Sequence, residues 1–336
     1  MNMRISPTIA ARMAYERMEA TLDRFVKGGV DFEKAKILIP FFYYFLFFIA
    51  FSRLEGLNYM IAEGAAGFAP RFPLFWAPYV PYGTAVTVVF LTWTFSALLA
   101  SLFPYIRAAR ILAFVGFFEY HALMSSFGTP NHQLDHWLWV SFILIFLPAL
   151  TREPPPDARR TFSLVFWGAQ AFLLLTYSMA GISKLVYAVI QISQGQANAF
   201  SHDAGALYAA TQLNLMHETV PLANVIISHP WLAWLPFLCV LELQTFALVV
   251  AFRPQLHRVW GLGLILFHLG TFLTMRAVFT APSGLLLLFL LASPFAPEKL
   301  QWREVAFSLP IFGRVFKYLA DKLFTRAPNT SRPDVP

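Results

Sequence analysis

Ionisable side chains within strongly apolar stretches are the first residues of this sequence that could do chemistry. They are Glu119, His121, Lys184, Glu242 and His268. An ionisable group inside a membrane-spanning helix is costly, so each one needs a polar partner or a function. For any single residue of this set, hydrogen bonding between helices is an equally good explanation. Taken as a set, they predict one polar pocket within a membrane.

A second polar group, made of Asn131, His132, Asp135 and His136, precedes another apolar stretch. The i, i+3, i+4 spacing of its last three members puts them on one helix face, and imidazole and carboxylate are common metal ligands. The remaining histidines are scattered singly, unlike the clustered histidines of membrane di-iron oxygenases. We therefore predict capping and hydrogen bonding for Asp135 and His136. Asn131 is assigned to the pocket, and His132 is a catalytic or ligand-orienting candidate.

Lys184 is the leading candidate for a catalytic base. It follows Tyr177, which we also assign to the pocket, and the small residues Ala180 and Gly181, which permit close approach of another helix. Because burial disfavours the charged form of an amine, a lysine in an apolar pocket can act as a base. Alternatively, the side chain extends to the lipid headgroups, as lysines at helix ends commonly do.

The composition places these residues in a bilayer. Of the 336 residues, 58% are hydrophobic and only 13% are charged, whereas soluble chains carry roughly a quarter charged residues. This excludes a pair of soluble domains. The single cysteine, Cys239, excludes an intrachain disulfide and a thiolate metal cluster. A net charge of +7 indicates orientation signals in a membrane protein rather than nucleic-acid binding.

Eight apolar runs are candidates to cross a hydrocarbon core of about 30 Å as helices. With eight spans, 21 of the 25 Lys and Arg residues fall in alternate loops that include both termini. The positive-inside rule then makes both termini cytoplasmic and the pocket outward-facing. The predicted fold is all-α and polytopic, with about eight transmembrane helices. The runs are residues 36–52, 84–105, 110–127, 135–150, 161–185, 231–252, 260–274 and 283–296.

The segments between and beyond these runs complete the predicted organisation. No cleavable signal peptide is visible, and the two larger outer segments, 68–82 and 186–230, are suited to form a lid. Amphipathic helices are predicted at 9–26 and at 312–324, the latter basic and suited to anionic lipids. The predicted parts are a cytoplasmic amphipathic segment (1–35), a transmembrane domain (36–297), and a cytoplasmic basic helix with a disordered tail (298–336).

Residues 177–185 resemble the Tyr-x-x-Ala-Gly-x-x-Lys-Leu signature of the vitamin K-dependent gamma-carboxylase-like membrane proteins, whose bacterial members are described as HTTM proteins. Further matches lie in the family's order on either side, so that the resemblance covers roughly residues 35–297. These matches are Asn131-His132, Phe146-Leu147-Pro148, Leu241-Glu242-Leu243 and Phe267-His268-Leu269-Gly270.

The resemblance implies an integral protein of the bacterial cytoplasmic (inner) membrane with quinol- or lipid-linked redox or base chemistry. It implies Lys184 as the base, His132 as its stabilising partner, and a reduced quinone or another isoprenoid lipid as cofactor. The carboxylases also carry a large lumenal domain for their protein substrate, which 336 residues do not accommodate. The Trp and Gly that usually follow the Lys-Leu pair are absent as well. Full glutamate carboxylation is therefore not expected.

Two other classes of function remain open: a non-catalytic membrane protein that binds a lipid or a protein partner, and a small-molecule transporter. Membrane lipids are expected partners and nucleic acids are not. Two geometric expectations follow from the hypothesis of one outward-facing pocket. Glu242 should lie within hydrogen-bonding or ion-pairing reach of a polar group on a different helix, with His268 and His121 as the leading partners. Lys184 should point into the helix bundle within reach of His132, beside an apolar cavity.

Overall fold

The computed structural model describes residues 31–128, 132–150, 154–217 and 219–324. Within these ranges every regular element is helical, which confirms the all-α class. Asn131 and the helix predicted at 9–26 lie outside the described residues. The α-helices are α1 (Phe32–Arg53), α2 (Glu55–Glu63), α3 (Tyr82–Leu102), α4 (Arg107–Ser125), α5 (Asp135–Leu144), α6 (Pro156–Ser193), α7 (Ala204–Met216), α8 (Pro221–Ser228), α9 (Trp231–Thr245), α10 (Ala247–Val250), α11 (His257–Met275), α12 (Thr280–Leu286), α13 (Trp302–Ser308) and α14 (Gly313–Phe324).

Four helical segments in the described part of the chain are long and apolar enough to cross a membrane. They are α1, α3, α6 and the segment Pro254–Met275 that contains α11. Helices α8 and α9 make a fifth if they are one broken span, with a bend of 101° between them. The predicted count of eight is not confirmed. Helix α5 has only 10 residues, about 15 Å of rise, and α4 carries Arg107, Arg110 and Glu119 within its length.

The helices pack in a ring that closes on itself. Neighbours in the ring are α1, α3, α4, α5, α6, α9, α11 and α12, and α12 returns to contact α1. Inside the ring, Phe42 stacks on Trp137 with 5.1 Å between ring centroids, and Phe166 stacks on Phe289 at 4.9 Å. These four rings are almost fully buried. Offset aromatic pairs of this kind add about 0.5–1.5 kcal/mol each beyond area burial. They tie α5 to α1, and α6 to the segment that follows α12.

The segment at 186–230, which was expected to suit a lid, is mostly helical in its described part. Helix α6 continues for 38 residues to Ser193, about 57 Å, and therefore extends well beyond a 30 Å core. Its i to i−4 hydrogen bonds need no apolar side chains once the helix has left the membrane. After Gly195, whose φ is +67°, the chain turns back, and α7 packs on α8, α9 and α11.

Helix α14 coincides with the basic amphipathic helix predicted at 312–324. Val315, Phe316 and Leu319 on this helix are exposed. Arg314 and Lys317 are exposed beside them. This combination of apolar and cationic side chains is typical of helices that lie on an anionic membrane surface.

Candidate functional site

A cavity of about 630 Å³ lies between α5, α6, α9, α11 and the start of α12. Its volume is within the range of small-molecule sites, roughly 300–1,000 Å³. We call it the main cavity. The polar residues that line it are His132, Asp135, His136, Thr176, Tyr177, Lys184, Gln244 and His268, and the apolar ones are Trp139, Phe172, Leu175, Met179, Ala180, Phe267, Phe279 and Pro282.

Lys184 turns toward α9 and not outward along the helix axis. Its Nζ donates to Gln244 Oε1 at 3.0 Å and to the carbonyl of Ala180, one turn earlier, at 3.2 Å. Gln244 is 4% exposed. Among the described residues, no carboxylate pairs with this nitrogen. The amine is thus held at the cavity wall by two neutral acceptors.

His132 lines the same cavity as Lys184 but makes a different contact. Its Nδ1 lies 2.8 Å from Asp135 Oδ2, and its side chain is 76% exposed. The predicted proximity to Lys184 therefore takes the form of a shared cavity, with no hydrogen bond between the two side chains among the described residues.

Gly181 and Ser178 precede Lys184 on α6 and contact the end of α9 and the start of α10. Gly181 packs directly on the backbone of Thr245, where an added Cβ would lie 2.6 Å from the Cα. Ser178 Oγ accepts from the N–H of Leu248 at 2.8 Å and donates to the Thr245 carbonyl at 3.2 Å. It thereby satisfies backbone groups at the break between α9 and α10. The small residues allow the close helix approach that the sequence predicted.

Tyr177, His268 and Ser283 form a hydrogen-bonded chain across the cavity wall. Ser283 Oγ donates to the Phe279 carbonyl at 2.8 Å, so it accepts from His268 Nδ1 at 2.9 Å. His268 Nε2 is then the acceptor for the Tyr177 hydroxyl at 3.2 Å. This tautomer is assigned from the hydrogen bonds. Each hydroxyl and each ring nitrogen of these three side chains is thus assigned as a donor, an acceptor or both.

Asp135 joins two histidines from different elements. Its Oδ1 lies 2.7 Å from His121 Nε2 on α4, and its Oδ2 binds His132. His136, the next residue, has its ring 5.1 Å from that of Tyr177, and its Nδ1 has no partner among the described residues. Of the three metal candidates, His132 and Asp135 therefore bind each other, whereas the ring of His136 lies against Tyr177. Among the residues described, no group of three or more His, Cys, Asp or Glu side chains is placed to hold a metal ion.

Three predicted pocket residues do not line the main cavity. Glu119 accepts from Trp76 Nε1 at 3.4 Å, and His121 reaches the cavity only through Asp135. Both lie on α4, which packs between α3 and α5 and is one helix removed from the cavity. The third is Glu242, on α9.

The predicted pairing of Glu242 with His268 or His121 is wrong. Both histidines have other partners, and the Glu242 carboxylate has no hydrogen-bond or ion-pair partner in the described part of the chain. Residues two positions apart on a helix are about 200° apart around its axis. Since Gln244 faces Lys184, Glu242 faces away from it.

Gln244, Ser178 and Ser283 are the functional candidates that sequence reasoning missed. They are neutral, and neutral polar residues in apolar helices carry no charge signal. Gln244 and Ser178 had one indirect signal, since each lies next to a quoted motif residue. Ser283 had none.

The wall of the main cavity opens toward the outside of the helix ring through apolar side chains. Trp139, Phe172 and Met179 line it and are 46%, 37% and 58% exposed. Trp139 and Phe172 lie with 6.4 Å between ring centroids. Such exposure on a spanning helix fits contact with acyl chains. The cavity thus has a polar end at Lys184 and an exposed apolar side.

Comparison of the chain with known protein families, with curated proteins and with solved structures found no match.

Proposed function

We propose that this chain is an HTTM-type, carboxylase-like protein of a bacterial cytoplasmic membrane that carries out base chemistry on a reduced quinone or another isoprenoid lipid. Lys184 is the base, and His132 assists at the same cavity. Both termini are cytoplasmic, and the main cavity faces the outer side. In this arrangement the short helices α5 and α12 complete eight crossings together with the longer ones.

The observation that carries the proposal is the hydrogen bonding of Lys184. A neutral amine has two N–H groups and one lone pair, and the two acceptors on Ala180 and Gln244 match the two N–H groups. The lone pair is then free to accept a proton from a molecule in the cavity. The absence of a carboxylate partner in the described part of the chain leaves the amine without a fixed counter-charge, which favours this use.

The shape of the cavity supports an amphiphilic ligand. A ring with hydroxyl groups would lie at the polar end, where Lys184, His136 and Tyr177 offer hydrogen-bonding atoms. An isoprenoid tail would leave past Trp139 and Met179 into the bilayer.

The reaction step assigned to Lys184 is one proton transfer. A bound quinol would supply a hydroxyl group of modest acidity. Lys184 Nζ takes the hydroxyl proton and becomes an ammonium, and the oxygen keeps the electron pair. Gln244 holds the nitrogen in place before and after the transfer, because its Oε1 accepts an N–H from either form. The apolar wall keeps bulk water from competing for the proton.

The test is oxidation of a reduced short-chain menaquinone by dissolved O2, which takes two electrons and two protons from the deprotonated quinol and its solvent to give the quinone and H2O2. It is followed by ultraviolet absorbance, with the full chain in lipid nanodiscs. We expect Lys184→Met and Lys184→Arg to abolish consumption above the uncatalysed rate, since neither side chain can act as a base. The control is Lys299→Met. Lys299 is exposed and does not line the main cavity, so this variant should keep full activity.

Binding is measured separately from turnover. The menaquinone should raise the melting temperature of the wild type and of Lys184→Arg alike, since a ligand stabilises the folded state that binds it. No shift for the wild type would refute the ligand class. A shift with unchanged turnover in both Lys184 variants would refute the base and favour a protein that only binds lipid.

A further inference from the structure

A second cavity lies on the other side of Lys184 from the main cavity. It has a volume of about 190 Å³ and is bounded by the last turns of α6, the turn at Asn198, and α7. We call it the outer chamber. Its volume is on the order of ten times what one enclosed water requires, which fits a molecule of a few heavy atoms. Its lining residues are Lys184, Tyr187, Gln191, Ala197, Asn198, Ala199, Ala204, Leu207, Tyr208 and Thr211.

The chamber wall is built from well-fixed parts. Asn198 Oδ1 accepts from the N–H of Phe200 at 3.0 Å, and Trp234 Nε1 donates to the Phe200 carbonyl at 3.1 Å. The ring of Tyr208 lies 5.4 Å from that of Phe237 on α9. These contacts tie the turn and α7 to α9, so the chamber does not depend on a loose loop.

The chamber offers donors and one cation without a balancing anion. The side chains of Tyr187, Gln191, Tyr208 and Thr211 line it and have no hydrogen-bond partner among the described residues. Each can donate a hydrogen bond. The described lining residues include Lys184 and no Asp or Glu. When Lys184 is protonated, the chamber therefore has a single uncompensated positive charge.

We propose that the outer chamber binds a small oxyanion, of the size of acetate, that enters from the outer aqueous phase. Lys184 serves both cavities: its neutral form accepts a proton from the ligand of the main cavity, and its ammonium form then attracts the anion on the other side. The polar reactant and the lipid reactant reach the same nitrogen by separate routes. The inference rests on the proposed function for the outward topology and for the protonation of Lys184.

The experiment uses the single cysteine of the chain. In a Cys239→Ala background, Ala204→Cys places a thiol in the chamber wall. Ala206→Cys is the matched control, because both alanines lie on α7 and are 5% exposed but only Ala204 lines the chamber. Anionic sulfonatoethyl and cationic trimethylammonioethyl methanethiosulfonates are added to the outer side of sealed vesicles. Each labelling rate is divided by the rate at which the same reagent reacts with free mercaptoethanol, which removes the difference in intrinsic reactivity between the two reagents.

We expect Ala204→Cys to react with the anionic reagent roughly tenfold faster than with the cationic one, since the reagents differ by two charges near one ammonium. Lys184→Gln should abolish this preference, and Lys184→Arg should keep it. Acetate should slow the labelling, whereas acetamide, its neutral analogue, should not. Ala206→Cys should label slowly with both reagents.

Three results would overturn the proposal. The preference for the anionic reagent could persist in Lys184→Gln, acetate and acetamide could slow the labelling equally, or Ala204→Cys and Ala206→Cys could label at equal rates. Labelling from the cytoplasmic side alone would overturn it as well. Labelling is measured without quinol at a pH low enough to protonate Lys184, so none of these results depends on quinol turnover. A chain that consumes no menaquinone but shows the Lys184-dependent preference would refute the proposed function alone.

Discussion

Gly181→Ala should separate Lys184 from Gln244 without touching either side chain. The added Cβ would lie 2.6 Å from Thr245 Cα and 2.7 Å from the Gln244 carbonyl carbon. Non-bonded carbons prefer about 3.5–4.0 Å. These neighbours are backbone atoms of α9, so no side-chain rotation relieves the overlap. Helix α9 must move away from α6 by about 1 Å.

The movement has two measurable costs. Overpacking of this kind typically destabilises by about 1–3 kcal/mol, which lowers the melting temperature by several degrees. A shift of about 1 Å would also lengthen the contact between Lys184 Nζ and Gln244 Oε1 from 3.0 Å to beyond hydrogen-bonding range. Loss of a hydrogen bond to a charged group is worth about 1.5–3 kcal/mol, so turnover should fall at least about tenfold.

The assay compares Gly181→Ala with Gly168→Ala on the same helix. A Cβ at Gly168 meets only Ile143 Cγ2 at 3.6 Å, which is ordinary contact. Gly168→Ala should therefore leave the melting temperature unchanged or slightly raised, because Ala favours helix. Menaquinone consumption and thermal unfolding in nanodiscs give both readouts. Equal melting temperatures and equal turnover for the two variants would refute the close packing of α6 on α9 and the role assigned to Gln244.

Three further results are expected. Gln244→Leu, which removes the acceptor for Lys184 at similar volume, should lower quinol turnover about tenfold, and unchanged turnover would exclude a positioning role. Tyr177→Phe leaves His268 Nε2 unpaired in a buried site and should destabilise by about 1–3 kcal/mol, measured by thermal unfolding; no change would argue that the hydrogen bond is absent in solution. Topology reporters fused at the two ends of α6 should give opposite signals, and equal signals would contradict the proposed crossing.

The sequence was sufficient to locate the helices of the eight apolar runs but not their ends. Apolar runs identified a helix at each predicted position, because composition marks the segments that avoid water. A helix ends where its backbone hydrogen bonds stop, however, and that position depends on local backbone geometry. Helix α5 stops at Leu144, six residues before the predicted end, and α6 continues to Ser193. The number of spans depends on such ends, which explains why it was not settled by composition.

The residues of the candidate site were likewise predicted only in part. Lys184 and His268 were predicted because an amine and an imidazole stand out in apolar helices, and Tyr177 because it begins the motif that contains Lys184. Glu242 was predicted for the pocket because it is charged, and Gln244 was not considered. Helix phase turns the neutral Gln244 toward Lys184 instead. Which face of a helix is buried depends on all of its neighbours. The buried face is therefore set by tertiary packing, and it cannot be identified from the sequence of one strongly apolar helix.

The exposed apolar side of the main cavity determines how affinity for this protein must be expressed. A ligand that enters past Trp139 and Met179 arrives by diffusion in two dimensions, and its effective concentration is its mole fraction in the lipid. Dilution of the vesicles in buffer would not dissociate it, whereas addition of ligand-free lipid would. A titration reported in molar units of water would therefore give a different constant at every lipid-to-protein ratio, while the same data plotted against mole fraction would fall on one curve.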